Sequence, residues 1–250
     1  MSYTNEFDKV ILITGAGGGL GCGLVTGLID AGYKNIACQF RSKINDLSKV
    51  LVDHELPPER HMFHADLTSE EDVRRLCEQV TAKFGHPWAI INVAGSSSNS
   101  MSWKLSLEDY RRVIDNNLTS TFLTCKQFIP GMRERGSGRI INVSSVVAHA
   151  GVPGAAHYCA AKAGIEGFTR SIALELAPKN VTANVLALGY FDTGIIDQVP
   201  LSTQEVIKNA TPLKRFGSTN EFVGIVKYLL TESSQFMTGQ VLNINGGYHL

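Results

Sequence analysis

Seven short runs of mostly apolar, β-prone residues, at 10–14, 35–40, 61–64, 89–93, 139–143, 182–187 and 241–244, alternate with stretches of helical periodicity. Strands that take turns with helices pair in parallel and are covered on both faces, because each crossover helix must lie against the sheet it has just left. The pattern therefore predicts an α/β fold with a doubly wound, seven-stranded parallel sheet. Between two of the runs, Thr68-Ser69-Glu70-Glu71 supplies a helix cap and an acidic first turn, after which Val73, Leu76, Val80 and Phe84 recur at helical spacing. That helix is expected to lay its apolar stripe on the sheet.

With 250 residues, 44% of them hydrophobic, the chain can bury a large core, and no repeat, low-complexity stretch or linker divides it. Residues 1–250 are expected to form one domain. The least patterned piece, 190–214, carries Pro200 and Pro212 and is expected to form a helical flap over a pocket at the strand ends. Lys and Arg balance Asp and Glu at 23 each, which leaves no global field to attract nucleic acid or an anionic membrane. Cys22, Cys38, Cys77, Cys125 and Cys159 are odd in number and never form a CxxC pair, which argues against a disulfide framework or a zinc cage and suits a reducing cytoplasm. Residues 1–9 are polar, and no run approaches the roughly 18 apolar residues of a membrane span. His61 and His64 fall on one strand, where a spacing of three points them to opposite faces, so no metal site is expected there. Cys159 reads as a small core residue.

The first run is followed at once by Thr14-Gly15-Ala16-Gly17-Gly18-Gly19-Leu20-Gly21. A chain that must turn sharply into a helix and admit a pyrophosphate against its backbone needs residues without Cβ, and the amides and dipole at the helix start then hold the phosphates. The second run ends Gln39-Phe40-Arg41-Ser42, with no acidic residue to accept from a ribose 2′-hydroxyl. Arg41 offers a guanidinium fork for a 2′-phosphate instead, which favours NADP(H) over NAD(H).

Tyr158 and Lys162 stand four apart in a stretch, 155–177, that reads as helix. That spacing stacks both side chains on one face, where a fixed ammonium is expected to favour the phenolate and bring the phenol proton into play. Ser145 lies thirteen residues before Tyr158, at the end of a buried run.

As a set, these residues resemble the short-chain dehydrogenase/reductase family over essentially the whole chain. The resemblance is carried by the 14–21 loop, Asp66-Leu67, Asn92-Val93-Ala94-Gly95, Asn117-Leu118, Ser145 and the Tyr158 to Lys162 segment. Pro212 to Gly217 and Met237 to Gly247 are most similar to the β-ketoacyl-acyl carrier protein reductase branch. The resemblance implies a Rossmann-type fold and a catalytic set of Asn117, Ser145, Tyr158 and Lys162, with Asn117 kinking its helix and keeping a water beside the lysine. Cofactor contacts would come from Gly15, Gly17, Gly18, Leu20, Gly21, Arg41, Asp66 and Leu67 at the adenosine and phosphates. Asn92, Gly95, Tyr158 and Lys162 would border the nicotinamide-side ribose, and Phe191 and Thr193 the carboxamide. The chain departs from the family pattern at Leu188, where a proline is usual and whose absence is expected to loosen the following loop, at Val93, and at Gly17-Gly18, which leaves Arg41 as the main phosphate contact.

The implied reaction is NADPH-dependent reduction of a ketone, most similar to 3-oxoacyl-acyl carrier protein reduction, with Tyr158 as proton donor and Ser145 holding the carbonyl oxygen. An alcohol, sugar or steroid-type dehydrogenase of the same family, or a nucleotide-sensing scaffold, are the alternatives. Arg133, Arg135 and Lys179, at the ends of two helices expected to flank the pocket, are candidates to dock an acidic acyl carrier protein. By resemblance the chain is expected to be a homotetramer with contacts in the Phe168 region and at the C-terminal strand.

Overall fold

The computed structural model describes residues 6–42 and 44–249; the expectation of one domain over 1–250 also takes in 1–5, 43 and 250, which lie outside the described residues. In chain order the elements are β1 (Ile11–Thr14), α1 (Gly19–Asp30), β2 (Ile36–Phe40), α2 (Asn45–Asp53), α3 (Pro58–His61), β3 (Met62–His64), α4 (Glu70–Phe84), β4 (Ala89–Asn92) and α5 (Leu107–Ile114). They continue with α6 (Ser120–Arg135), β5 (Gly138–Ser145), α7 (Val147–Ala150), α8 (Ala156–Leu176), β6 (Val181–Leu188), α9 (Leu201–Ala210), α10 (Thr219–Leu230) and β7 (Val241–Ile244). The strands form one parallel sheet in the order β3-β2-β1-β4-β5-β6-β7. Its order reverses between β1 and β4, which opens a crevice at their carboxyl ends.

Strand alternation sorts the core into two layers. Ile11, Ile13, Ile36, Ile91, Ile141 and Val143 pack with Leu24, Leu28, Leu47, Phe222 and Val226 of α1, α2 and α10. Leu12, Ile90 and Ile140 pack with Val73, Leu76, Val80, Phe128 and Ile172 of α4, α6 and α8. Each such side chain contributes about 1.5–3 kcal/mol through removal from water. Local signals agree with this layering. Ser69 caps α4 by accepting from the Asp72 amide at 3.2 Å, and Ser218 with Glu221 forms a capping box on α10.

All seven expected strands are present, with shifted ends. β5 runs on to Ser145 and β6 to Leu188. The second extension has a plain cause. Leu188 keeps the N–H that a proline lacks, so it stays in register between Ser145 and Ile244, and its carbonyl accepts from the Val146 amide at 2.7 Å. The 190–214 stretch is helical as expected, with a 3-10 turn at Gly194–Gln198 followed by α9. The two histidines do not share a strand: His61 closes α3 and bonds the Ile36 carbonyl through Nδ1 at 2.8 Å, whereas His64 ends β3 and meets the Phe40 ring edge-on. Among the described residues no helix is long and apolar enough to cross a membrane.

Candidate active site

At the mouth of the crevice, Gly15 sits at φ +66°, and a Cβ there would lie 2.7 Å from the Ala94 Cα. Only glycine fits both constraints. Its amide donates to Gln39 Oε1 at 2.9 Å, and the Gln39 amide group donates to the Ala65 carbonyl at 2.8 Å, so a buried glutamine inside β2 braces the turn. Gln39 was legible only as a polar residue in an apolar run, and its role was not anticipated. Gly18 precedes α1 in an extended conformation, no side chain caps the helix, and its first turn holds no acid. The opening amides are left for an anionic ligand. Leu20 packs against the core, and the Thr193 side chain sits over Gly19, so the start of the flap touches the glycine turn.

Beyond the ends of β2 and β3, a cavity of about 810 Å³ is lined by Arg41, Asp66, Thr68, Ser96, Arg111 and Asn116, among others. Arg41 donates to Asn116 Oδ1 at 3.1 Å, and Asn116 in turn donates to Ser96 Oγ at 3.1 Å. Burial raises the Asp66 pKa, but the amide and hydroxyl of Thr68, with Arg41 nearby, outweigh it and hold the carboxyl below its usual range. Asp66 is thus an anion at neutral pH that both closes a turn and faces the cavity. Ser69, not Asp66, caps the next helix.

The second cluster lies where β5 ends and α8 begins. Lys162 is buried, its Nζ 2.9 Å from the Val143 carbonyl and 5.5 Å from the centre of the Tyr158 ring. Burial pushes the Tyr158 phenol well above its ordinary value, and a hydrogen bond with the Ser145 hydroxyl offsets only part of this. Burial likewise lowers the Lys162 ammonium to about 8. The expectation that the lysine favours the phenolate is corrected here. Its amine points to a backbone carbonyl, and desolvation governs both groups.

Asn117 sits in a π-helical turn, Asp115–Thr119, between α5 and α6, which gives the expected kink a definite form. The Ser120 and Thr121 hydroxyls bond its carbonyl at 3.1 and 2.8 Å. Its Nδ2 donates to Ser96 and Val113 carbonyls at 2.7 and 2.9 Å, while Oδ1 is buried without a partner among the described residues. A Cβ on Gly95 would fall 2.5 Å from that oxygen and 3.4 Å from Lys162 Nζ. Glycine is therefore required where an orphaned acceptor and an amine meet the backbone, a polar notch with no room for a side chain.

Four expectations change. Asn92 does not face the notch: it is buried, donates to Asn142 Oδ1 at 2.8 Å and receives the Thr14 hydroxyl at 3.4 Å, because strand parity turns it toward α6. The Leu67 and Phe191 side chains are packed in the two apolar layers, which leaves only their backbones for a ligand. Arg133 and Arg135 close α6 just before β5 starts, and Lys179 precedes β6, so all three lie at the amino ends of these strands. An eight-residue strand, roughly 23 Å, separates that edge from Ser145 within one chain. Arg135 is moreover bonded to the His86 and Pro87 carbonyls at 3.0 and 2.8 Å.

An uncapped helix behind a glycine turn, a switch-point crevice and a cluster of a buried Lys162 with half-buried Tyr158 and Ser145 together define a dinucleotide-dependent redox protein. The short chain dehydrogenase family profile matches residues 9–203, and the chain belongs to that family. It is an NAD(P)(H)-dependent oxidoreductase acting on CH–OH or C=O groups. It is 35% identical to nodulation protein G of Azospirillum brasilense over 96% of this chain and 98% of the relative. It is 34% identical to the 3-oxoacyl-(acyl-carrier-protein) reductase FabG of Thermotoga maritima over 96% and 97% of the two chains. The protein of the same name from Staphylococcus aureus is 30% identical over 98% and 100%.

Proposed function

We propose that the chain reduces the ketone of 3-oxoacyl thioesters, borne by an acyl carrier protein, to a secondary alcohol with NADPH in fatty acid or related acyl-chain synthesis. The gathering of Ser145, Tyr158 and Lys162 beside the notch at Gly95 carries this reading, and the names of the relatives supply the substrate class. A bound nicotinamide supplies the hydride. Tyr158 gives its proton to the ketone oxygen while the Ser145 hydroxyl stabilises the charge developing there. The protonated phenol is the form that donates to a ketone oxygen in the reductive direction. Lys162 and the free Oδ1 of Asn117 hold the ribose side and a water that returns the proton.

In this reading the glycine turn of Gly15, Gly17 and Gly18 brings the pyrophosphate against the backbone, the Gly15 and Gly18 amides being spent on the turn itself, and the opening amides of α1, including Leu20 and Gly21, hold it. Asp66 and the Leu67 backbone meet the adenine, Arg41 the 2′-phosphate, Gly95 the nicotinamide-side ribose, and Thr193 with the Phe191 backbone the carboxamide. The 190–214 flap covers the substrate. Arg133, Arg135 and Lys179 are not carried forward as a carrier-docking surface, given their place in the fold. A homotetramer is supported by apolar side chains left open on α6 and α8, with Phe122 edge-on to Phe168 and Leu174 exposed, and by the unpaired edge of β7. Five free thiols suit a reducing cytoplasm.

The deciding experiment compares NADPH with NADH on acetoacetyl thioesters and on a panel of ketones and secondary alcohols. Fastest turnover is expected with NADPH and the thioester. Faster oxidation of an alcohol would move the chain to the oxidative dehydrogenases, and no turnover on any carbonyl would leave a nucleotide-binding scaffold.

A further inference from the structure

Along α8 the spacing of four that stacks Tyr158 and Lys162 continues one turn further to Glu166, a carboxylate only 5% exposed that the reduction does not use. One of its oxygens accepts from the Ser144 hydroxyl at 2.8 Å, and the other meets His149 Nε2 at 2.8 Å. Ser144 stands just before Ser145, and His149 lies four residues after it in α7. The carboxylate therefore ties both ends of the turn on which Ser145 is displayed. Its other fixings are mostly backbone: the Val146 amide donates to the Leu188 carbonyl at 2.7 Å and the His149, Ala150 and Gly151 amides close α7, while the Ser144 hydroxyl also reaches the Lys162 carbonyl at 3.2 Å and the Val147 amide Ser145 Oγ at 3.4 Å.

From His149 the contacts run outward. Its ring lies 5.4 Å from that of His249, which lines a cavity of about 430 Å³ together with Tyr190 and Asn245. Asn245 Nδ2 donates to the His249 carbonyl at 2.8 Å, and Tyr190 and Tyr248 meet edge to face. A buried carboxylate is unfavourable unless paired. Here its partners are the strand end before Ser145 and the helix that contacts the C-terminal segment.

Resting on the reductase reading, we propose that Glu166 is a positioning residue whose carboxylate sets Ser145 against Tyr158 and, through His149, seats His249 along the wall of the substrate pocket. Glu166→Leu removes both bonds with little change of volume. It should lower kcat at least tenfold and raise the KM for the ketone, while the NADPH dissociation constant, read by fluorescence titration, stays within twofold. Glu166→Gln keeps an acceptor for Ser144 and a polar group toward His149, and should recover most of kcat. His149→Ala should mimic the loss in KM, and adding it to Glu166→Leu should make KM no worse. Independently of turnover, hydrogen exchange across 145–150 should accelerate in Glu166→Leu and not in Glu166→Gln. Wild-type exchange there, together with wild-type kcat and KM, overturns the proposal. Parallel loss of NADPH binding overturns it too, because the carboxylate would then merely hold the fold. A wild-type protein inert toward every carbonyl sinks the reductase reading instead, and the exchange measurement still decides whether Glu166 fixes the turn.

Discussion

The two faces of the central strands share one register and differ in chemistry at the same height. Toward α1, α2 and α10 the upper strand positions are Ile13, Ile91 and Ile141, aliphatic and dry. One residue along, on the opposite face, Thr14, Asn92 and Asn142 stand side by side in register across β1, β4 and β5. Asn142 passes the row on to Thr169 of α8 at 2.8 Å, and Ser144 reaches Glu166. The dry face can stabilise the fold simply by being apolar, whereas every amide of the wet face needs a partner to avoid a desolvation penalty. What the wet face gains is position. A bonded amide row admits one arrangement, and Lys162, Tyr158 and Ser145 are set above it.

The largest effects should come from groups held by the wet face. Tyr158→Phe is expected to abolish turnover nearly completely with cofactor binding mostly retained. Activity within about tenfold of wild type, in single-turnover assays, would remove the phenol from the chemistry. Ser145→Ala should follow at roughly a hundredfold, the usual size for one lost donor at a developing oxyanion. If it acts on cofactor affinity rather than kcat, the hydroxyl belongs to binding and the comparison fails there.

Stability should divide the other way. Leu28→Ala, cut into the dry layer, is expected to cost about 2–5 kcal/mol in urea unfolding while kcat per folded molecule stays unchanged. Asn142→Ala takes the acceptor at 2.8 Å from the Asn92 amide and the donor from Thr169 Oγ1, which keeps its own bond to the Ile165 carbonyl, and should cost less, about 1–3 kcal/mol, yet lower kcat as the row relaxes. Equal kinetic effects from the two substitutions would show that the wet face is only another piece of core.

Much of the dry face was legible because burial leaves a direct trace in sequence. Runs such as 10–14 and 89–93 announce strands, and Gly15 announces a turn. The wet face was legible only in part. Asn92 reads the same whether it faces a ligand or the interior, and the decision comes from parity with Thr14 and Asn142, visible only once register is known. The π-turn at Asp115–Thr119 has no propensity signature, since one inserted residue in a helix leaves its neighbours helical. Glu166 could have been found, as it continues the four-residue spacing of Tyr158 and Lys162, but an acidic residue on a helix usually faces water. The arginines at 133 and 135 were misplaced for a topological reason: a helix that returns the chain to a parallel sheet ends at the strand's amino edge, away from the site.

The smallest expected effect isolates what the wet face costs. Lys162 is buried with its ammonium lowered to about 8, against about 10.4 in an unfolded chain. Below about pH 8 both states hold the proton and the full penalty of burying the charge stands. Between about 8 and 10.4 the unfolded chain binds more protons than the folded one, so this group makes stability rise with pH. The Tyr158 phenol, displaced upward, acts in the opposite sense only above its unfolded value near pH 10. Lys162→Met removes the penalty and forfeits one bond to the Val143 carbonyl. The variant should be inactive yet more stable than wild type at pH 7, by on the order of 1 kcal/mol or roughly 2–4 °C in Tm, with the gap closing as pH approaches 10. A gap that is absent at pH 7, or that widens with pH, would mean that the amine is better paired than its surroundings show, and the wet face would then carry its charge at no loss to the fold.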